Sequence, residues 1–266
     1  MPDIYKHGYD NFKKITVLFI LQIILGVLPV VLLVIYIGFS LYSNVVLGYT
    51  FIVIMAIAAA LNFTITKRYN VLLSGFKGEK SLMKTVKKLG SEYTVFANVP
   101  VRYKKNRSEI DLLVMCDRYI IIIEVKNHSG YIYGNHKDET WTQRKIYRDG
   151  KTTETVMTSP IRQMRRQRDI IKSILRANDL DQWVDTVLYF SAPTVHLYLD
   201  LSDSDNVCSS EKELLEFLRT YVSPKSMDPE KLEKIKALFK EMCVSKLYLT
   251  AKSRNRYFGI FSLYFE

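Results

Sequence analysis

Two stretches constrain this chain before anything else does. Ile15–Phe39 and Val45–Ile65 contain no formal charge, and as a helix each would cross a hydrocarbon core of ~30 Å. Gln22 and Pro29 interrupt the first, which a bilayer-spanning helix tolerates. A secretory signal fits poorly. The first stretch is too long for a signal core, shows no small-residue cleavage site and runs at once into the second. The reading is a transmembrane helical hairpin at 15–66, preceded by a short segment at 1–14. Lys6, Lys13 and Lys14 flank one end and Lys67 and Arg68 the other, while the connector Ser40–Asn44 has no charge. The positive-inside rule then places both termini in the cytoplasm. Residues 67–266 would be a cytoplasmic domain on a two-span anchor in a cell membrane, expected to be bacterial. Two spans without a charge offer no path for a transported ion.

Composition narrows the soluble part less. The chain has 38 Lys and Arg, three of them before Lys67, and 27 Asp and Glu, two of them before Lys67, which leaves the domain at +10. Such a balance suits nucleic acid and equally suits the anionic inner face of a membrane. Cys116, Cys208 and Cys243 have no paired spacing, so they read as reduced thiols and not as a disulfide frame or a zinc site. His128 and His136 lack Cys or His partners at zinc spacing and read as surface or site-lining residues.

Hydrophobic periodicity gives a mixed α/β domain around one sheet. A helix is expected at Lys77–Leu89, then strands at Tyr93–Tyr103, Ser108–Met115 and Tyr119–Lys126, with weaker ones at Tyr131–Gly134 and Trp141–Tyr147. Asp149–Thr158 reads as a polar loop. Ser159-Pro160 opens a helix, with serine as N-cap and proline at the first helical position. Strands at Val184–Phe190 and Thr194–Leu199 follow, then helices at Glu211–Tyr221 and Pro229–Met242. Lys246–Ala251 and Arg256–Phe265 read as a closing pair of strands.

The chemistry gathers where an apolar hairpin ends in charge. Ile120–Ile123 is an unbroken β-branched run, the pattern of a strand covered on both faces, yet Glu124 and Lys126 follow it directly. With Asp117-Arg118 as a two-residue turn, facing residues have numbers summing to 235. Asp111 then faces Glu124 and Glu109 faces Lys126, all four on one side of the sheet. Opposed residues have Cβ atoms roughly 4.5–5.5 Å apart, so the two acids would repel unless a cation such as Mg²⁺ lies between them. A plain Glu109–Lys126 ion pair, with both acids solvated, is the alternative.

Two helices aim polar groups at apolar positions. Glu79 lies on the Leu82, Val86, Leu89 stripe, either as an acid favoured at a helix N-terminus or as part of a site. Gln163 and Gln167 interrupt the stripe of Met164, Ile170, Ile171, Ile174 and Leu175, and so must find buried partners. Arg162, Arg165, Arg166, Arg168, Lys172 and Arg176 fill the rest of that helix, as a solvated face or as a path for phosphates.

Glu109-Ile110-Asp111, the hairpin, Glu124-Val125-Lys126-Asn127, a glycine-containing strand with Trp141, and Ser159-Pro160-Ile161-Arg162-Gln163 together resemble the nuclease-related domain, NERD. That family is a remote branch of the PD-(D/E)XK nuclease superfamily. The resemblance covers residues 76–177, with 178–266 completing the domain, and implies a restriction-endonuclease-like central mixed sheet flanked by helices. It further implies a Mg²⁺- or Mn²⁺-dependent hydrolase cutting phosphodiester bonds of cytoplasmic DNA, with RNA also admissible. Asp111 and Glu124 would hold the metal with Glu79 assisting, Lys126 would be the catalytic lysine and Gln163 would complete the site. Arg162, Arg165, Arg166, Lys172 and Arg176 would bind nucleic acid. The alternative is a catalytically inactive module that uses the same fold to bind nucleic acid or anionic membrane as a scaffold or sensor.

Overall fold

The computed structural model describes residues 1–6, 11–40, 45–225 and 227–244, in two compact units. One is Tyr9–Ser81, and the other joins Met1–Gly8 to Leu82 and everything after it. The expected closing strands at 246–265 lie outside the described residues.

The first unit is a helical hairpin. α1 (Asn11–Ser40) and α2 (Val45–Val86) are helices, and ring contacts Phe12–Phe76, Phe19–Tyr69 and Tyr36–Phe51 bring them together antiparallel. Their segments Phe12–Gly38 and Tyr49–Val86 are long and apolar enough to cross a membrane. Apolar side chains such as Val34 and Phe63 point outward rather than into a core. The expected break near Lys67 does not occur, because α2 continues without interruption to Val86. No proline or exposed turn signal stands there to end it. Glu79 is therefore deep inside a helix, and its reading as an N-terminal acid falls.

The second unit is mixed α/β, built on two mixed sheets. The larger runs β1 (Asp3–Lys6), β2 (Thr94–Tyr103), β3 (Asn106–Cys116), β4 (Tyr119–Lys126), β8 (Asp185–Phe190) and β10 (Asn206–Cys208) in that spatial order. β2–β3–β4 form an antiparallel meander, with β1, β8 and β10 added in parallel. The β3–β4 turn is Asp117-Arg118, and the pairs Leu112↔Ile123 through Cys116↔Tyr119 keep the expected register.

Helices cover both faces of this sheet, which is why its central strands are apolar throughout. Ile120 and Ile122 pack with Leu113 and Met115 against Ile170, Ile171 and Ile174 of α3 (Pro160–Ala177) and Ile235 and Phe239 of α5 (Pro229–Val244). Ile121 and Ile123 point the other way, onto Leu82, Val86 and Leu89 and onto Leu214 and Leu218 of α4 (Glu211–Thr220). β1 comes from the far end of the chain. Its Tyr5 stacks on Phe96 at 5.3 Å, and Lys240 of α5 lies 4.9 Å from the Tyr5 ring centroid.

The smaller sheet corrects the single-sheet expectation. It runs β7 (Thr152–Thr158), β6 (Thr140–Ile146), β5 (Gly130–Asn135), β9 (Val195–Asp200). β7 occupies what reads as a polar loop. It is an edge strand with nearly all residues exposed, so it needs no apolar alternation to pair with β6. The inner face of this sheet sets Ile132 and Trp141 against Ile161 and Met164 of α3 and Leu188 and Phe190 of β8. Gly134 makes that packing possible, since a Cβ there would stand 2.4 Å from the Trp141 ring.

Ser159 precedes α3 and Pro160 stands at its first turn, yet the Ser159 side chain makes no cap and its buried Oγ has no partner. The start of the helix rests on proline's fixed φ instead. All three cysteines are buried and form no disulfide among the described residues. Burial pushes the Cys208 thiol to about 12 and that of Cys243 to about 11, so neither is a ready nucleophile.

Candidate active site

The sheet's apolar centre ends at Glu124, and there a knot of polar groups replaces the core. Glu124 is 2% exposed. Its Oε1 accepts from Lys126 Nζ at 2.7 Å and from Gln163 Nε2 at 2.7 Å, and its Oε2 accepts from Gln167 Nε2 at 2.8 Å. Lys126 Nζ also donates to Gln163 Oε1 at 3.1 Å. β4 therefore carries the ion pair, and the two glutamines one turn apart on α3 close over it. These are the buried partners that Gln163 and Gln167 need.

The amide of Gln167 is fixed by its neighbours. Its Nε2 also donates to the Glu109 carbonyl at 2.9 Å, while its buried Oε1 has no donor. An amide flip would set that oxygen against two acceptors, so the orientation is forced. A buried amide held at 0% exposure with half its capacity unmet costs stability, and such costs gather at working sites.

Asp111 stands beside the knot at a break in the sheet. The β3–β4 pairing stops at Leu112↔Ile123, and Asp111 Oδ2 takes the Val125 N–H at 2.9 Å in place of a ladder carbonyl. On the other flank Ala97↔Leu112 and Val99↔Ile110 bracket Asn98, which falls opposite Asp111. Asn98 is buried with φ +54°, a left-handed conformation that asparagine adopts more readily than most residues. Both ladders are thus interrupted at the level of Asp111, which frees this carboxylate from the regular alternation. Nothing in the period-two pattern marks Asn98; its only signal is an asparagine inside an apolar strand.

His128 follows the knot in the chain. Burial, then the nearby Lys126 and Lys145, hold its imidazole below the ordinary value against the opposing effect of its hydrogen bond to Gln143. Among the described residues no three His, Cys, Asp or Glu side chains gather as a metal cage. Glu79 belongs to the helical-hairpin unit, a different compact unit from the one that holds the knot.

The cations of α3 are largely engaged. Arg165 donates to both carboxylate oxygens of Asp205, at 3.2 and 3.1 Å, and that carboxylate is 5% exposed. Arg176 pairs with Asp181 at 3.1 Å, Arg162 with Glu139, and Arg166 donates to the Arg107 carbonyl. Lys172 lies over the Trp183 ring at 5.2 Å. Arg162 and Arg166 remain exposed and, with Arg165, line a cleft of about 360 Å³ beside Tyr103 and Asn106.

Residues 74–191 match the family described as the nuclease-related domain, NERD. An uncharacterized protein of Bacillus anthracis is 31% identical over 94 residues, which is 35% of this chain and 44% of that protein. The chain thus spans less than half the length of that relative. No solved structure matches. The segment 74–191, which holds Asn98, Asp111, Glu124, Lys126, Gln163 and Gln167, is the part of the chain that matches the nuclease-related domain.

Proposed function

We propose that this chain is a membrane-anchored, divalent-metal-dependent nuclease of PD-(D/E)XK type, acting on cytoplasmic DNA. The observation that carries the reading is the Glu124–Lys126–Gln163 knot with Asp111 beside it, at the end of the central strands of a nuclease-related domain. Buried charge of this kind is costly to hold in a fold.

The donor set suits Mg²⁺ or Mn²⁺. Mg²⁺ takes hard oxygen ligands and usually only one or two carboxylates, keeping waters and substrate phosphate for the rest. Asp111 and Glu124 supply two, and a carboxylate offers about four acceptor positions, of which three on Glu124 are taken by N–H donors. The undonated Gln167 Oε1 is a further acceptor in the same knot. Asp111 and Glu124 would hold the ion. When bound, it would polarise a phosphoryl oxygen and lower the pKa of a water.

The chain's own groups do the rest. Lys126 supplies positive charge where negative charge develops on the phosphate. Gln163 touches both Lys126 and Glu124 and so positions the ammonium relative to the carboxylate. Gln167 holds the other carboxylate oxygen and fixes the arrangement from the opposite side.

A second reading has a specific observation behind it. Glu124 is almost fully buried and both its oxygens are engaged, which also suits a closed, inactive module that binds nucleic acid or anionic membrane. The discriminating experiment incubates the purified full chain, in detergent, with single- and double-stranded DNA and RNA, with Mg²⁺ or with EDTA. Metal-dependent cleavage that Glu124→Gln and Lys126→Ala abolish supports the enzyme. Binding without cleavage under every condition supports the module.

A further inference from the structure

The smaller sheet turns its outer face to solvent, and that face is aromatic. Register sets Tyr131 opposite His196 and Tyr133 opposite Tyr198 across the parallel pair β5–β9. Tyr131 stacks on His196 with centroids 5.0 Å apart, Tyr133 stacks on Tyr198 at 5.1 Å, and Tyr131 and Tyr198 meet at 6.1 Å. On the β6 side Arg144 lies 5.5 Å from the Tyr133 centroid and is paired with Glu154 at 2.7 Å. The block of rings therefore has one end capped by a guanidinium and one end open. The open end is β9, the last strand of its sheet, where His196 is exposed and Tyr198 is 56% exposed. None of these rings serves the core, since the same strands send Ile132 and Leu197 to the buried side.

Contiguous exposed apolar surface marks an interaction site, and the chemistry here selects a partner. Ring faces at the open edge of a stack, on a chain of net charge +11, fit flat π-systems joined by negative charge. Nucleic-acid bases are such systems, but in a duplex their faces are covered by one another, so only an unpaired strand can extend a protein stack. We propose that Tyr198 and His196 bind unpaired nucleotides of DNA or RNA by continuing the Tyr133–Tyr198 and Tyr131–His196 stacks. Tyr131, which stacks on His196, follows Lys126 by five residues, at most about 18 Å of extended chain, so a strand on this face is close to the polar knot. The proposal rests on the nuclease reading and narrows its substrate to single strands or unpaired ends.

The test is fluorescence polarisation of the full chain in detergent, with EDTA present, using labelled oligo-dT, oligo-U and a duplex of equal length. Unpaired strands should bind more tightly than duplex. Tyr198→Ala should lose about 5- to 150-fold in affinity, the range of one base–aromatic stack, while Tyr198→Phe retains it. Since stacking releases no counterions, the loss should be equal at low and high salt. Unchanged affinity in both Tyr198→Ala and His196→Ala, or a preference for duplex, overturns the proposal. Self-association that Tyr198→Ala abolishes, without nucleic-acid binding, also overturns it and assigns the face to a second copy. Cleavage is read separately through Glu124→Gln, which leaves this face intact. A chain that binds single strands through Tyr198 and cuts nothing keeps this proposal and fails the nuclease reading.

Discussion

Gln167 offers the sharpest test of the polar knot, because two variants of similar shape should behave differently. Gln167→Leu removes a hydrogen bond to a carboxylate, about 1.5–3 kcal/mol, and one to the Glu109 carbonyl, about 0.5–1.5 kcal/mol. It also removes the undonated Oε1, which returns about 1–3 kcal/mol. The net is a loss of about 1–2 kcal/mol, or about 2–8 °C in Tm for a domain of this size.

Gln167→Glu instead sets a second carboxyl against Glu124 with no donor between them, so one of the two must keep a proton. Holding a carboxyl of ordinary pKa protonated costs about 1.4 kcal/mol per pH unit, up to about 4 kcal/mol at neutral pH. The folded state then binds more protons than the unfolded one, and stability falls as pH rises. Q167E should therefore be the less stable variant at neutral pH and approach Q167L near pH 5. Thermal unfolding of the full chain in detergent with EDTA, followed across that pH range, reads both effects. Equal stability at neutral pH, or wild-type stability in Q167L, would refute the assigned knot.

Three further outcomes follow from particular side chains and strands. Because burial and neighbouring lysines depress the pKa of His128, its contribution to stability is intact above the unfolded value of 6.5 and is lost as pH falls below it; His128→Gln should flatten that acid limb of the Tm profile, and an unchanged profile rejects the depressed pKa. Arg165→Gln should destabilise the fold by about 2 kcal/mol, less than the ~3–5 of a fully buried pair because Arg165 is partly exposed, whereas Arg162→Gln/Arg166→Gln should leave Tm unchanged and flatten the salt dependence of duplex binding by about 0.9 for each phosphate no longer neutralised. The opposite assignment, with Arg165 governing the salt slope, would show that the Asp205 pair opens on binding. Removal of residues 1–6 strips β1 from β2 and uncovers a sheet edge, so the shortened chain, like an excised 67–266 fragment, should unfold earlier and aggregate; equal Tm and solubility would show β1 to be dispensable.

What the sequence disclosed follows from how local each signal is. The β3–β4 register was readable because a two-residue turn leaves a single pairing and Ile120–Ile123 demands cover on both faces. The inward reach of Gln163 and Gln167 was readable because a polar residue in an apolar stripe has to be satisfied. β1 was not, since four residues without an apolar alternation gain their strand geometry only from Thr94–Ala97, remote in sequence. β7 and the left-handed Asn98 escaped for a related reason. An exposed edge strand obeys no periodicity, and a break in a ladder is a property of two partners, visible in neither alone. The helix cations looked available because composition records charge and not the carboxylates, such as Asp205, that tertiary structure brings to them.

The pairing of β1 with β2 also bears on how the chain is made. Asp3 leaves the ribosome 91 residues ahead of its partner Thr94, a wait of about 5–18 s at ordinary translation rates. Under the proposed anchoring, both apolar helices enter the bilayer during that interval. The strand can find Thr94 only if the two crossings return the chain to the compartment it started from. An α1 inserted the wrong way round, or an α2 left outside, would strand Asp3–Lys6 beyond reach, and the sheet would be left with an open edge for quality control to detect. Under that anchoring the first strand of the domain would serve as a check on membrane insertion, with completion of the sheet as its readout.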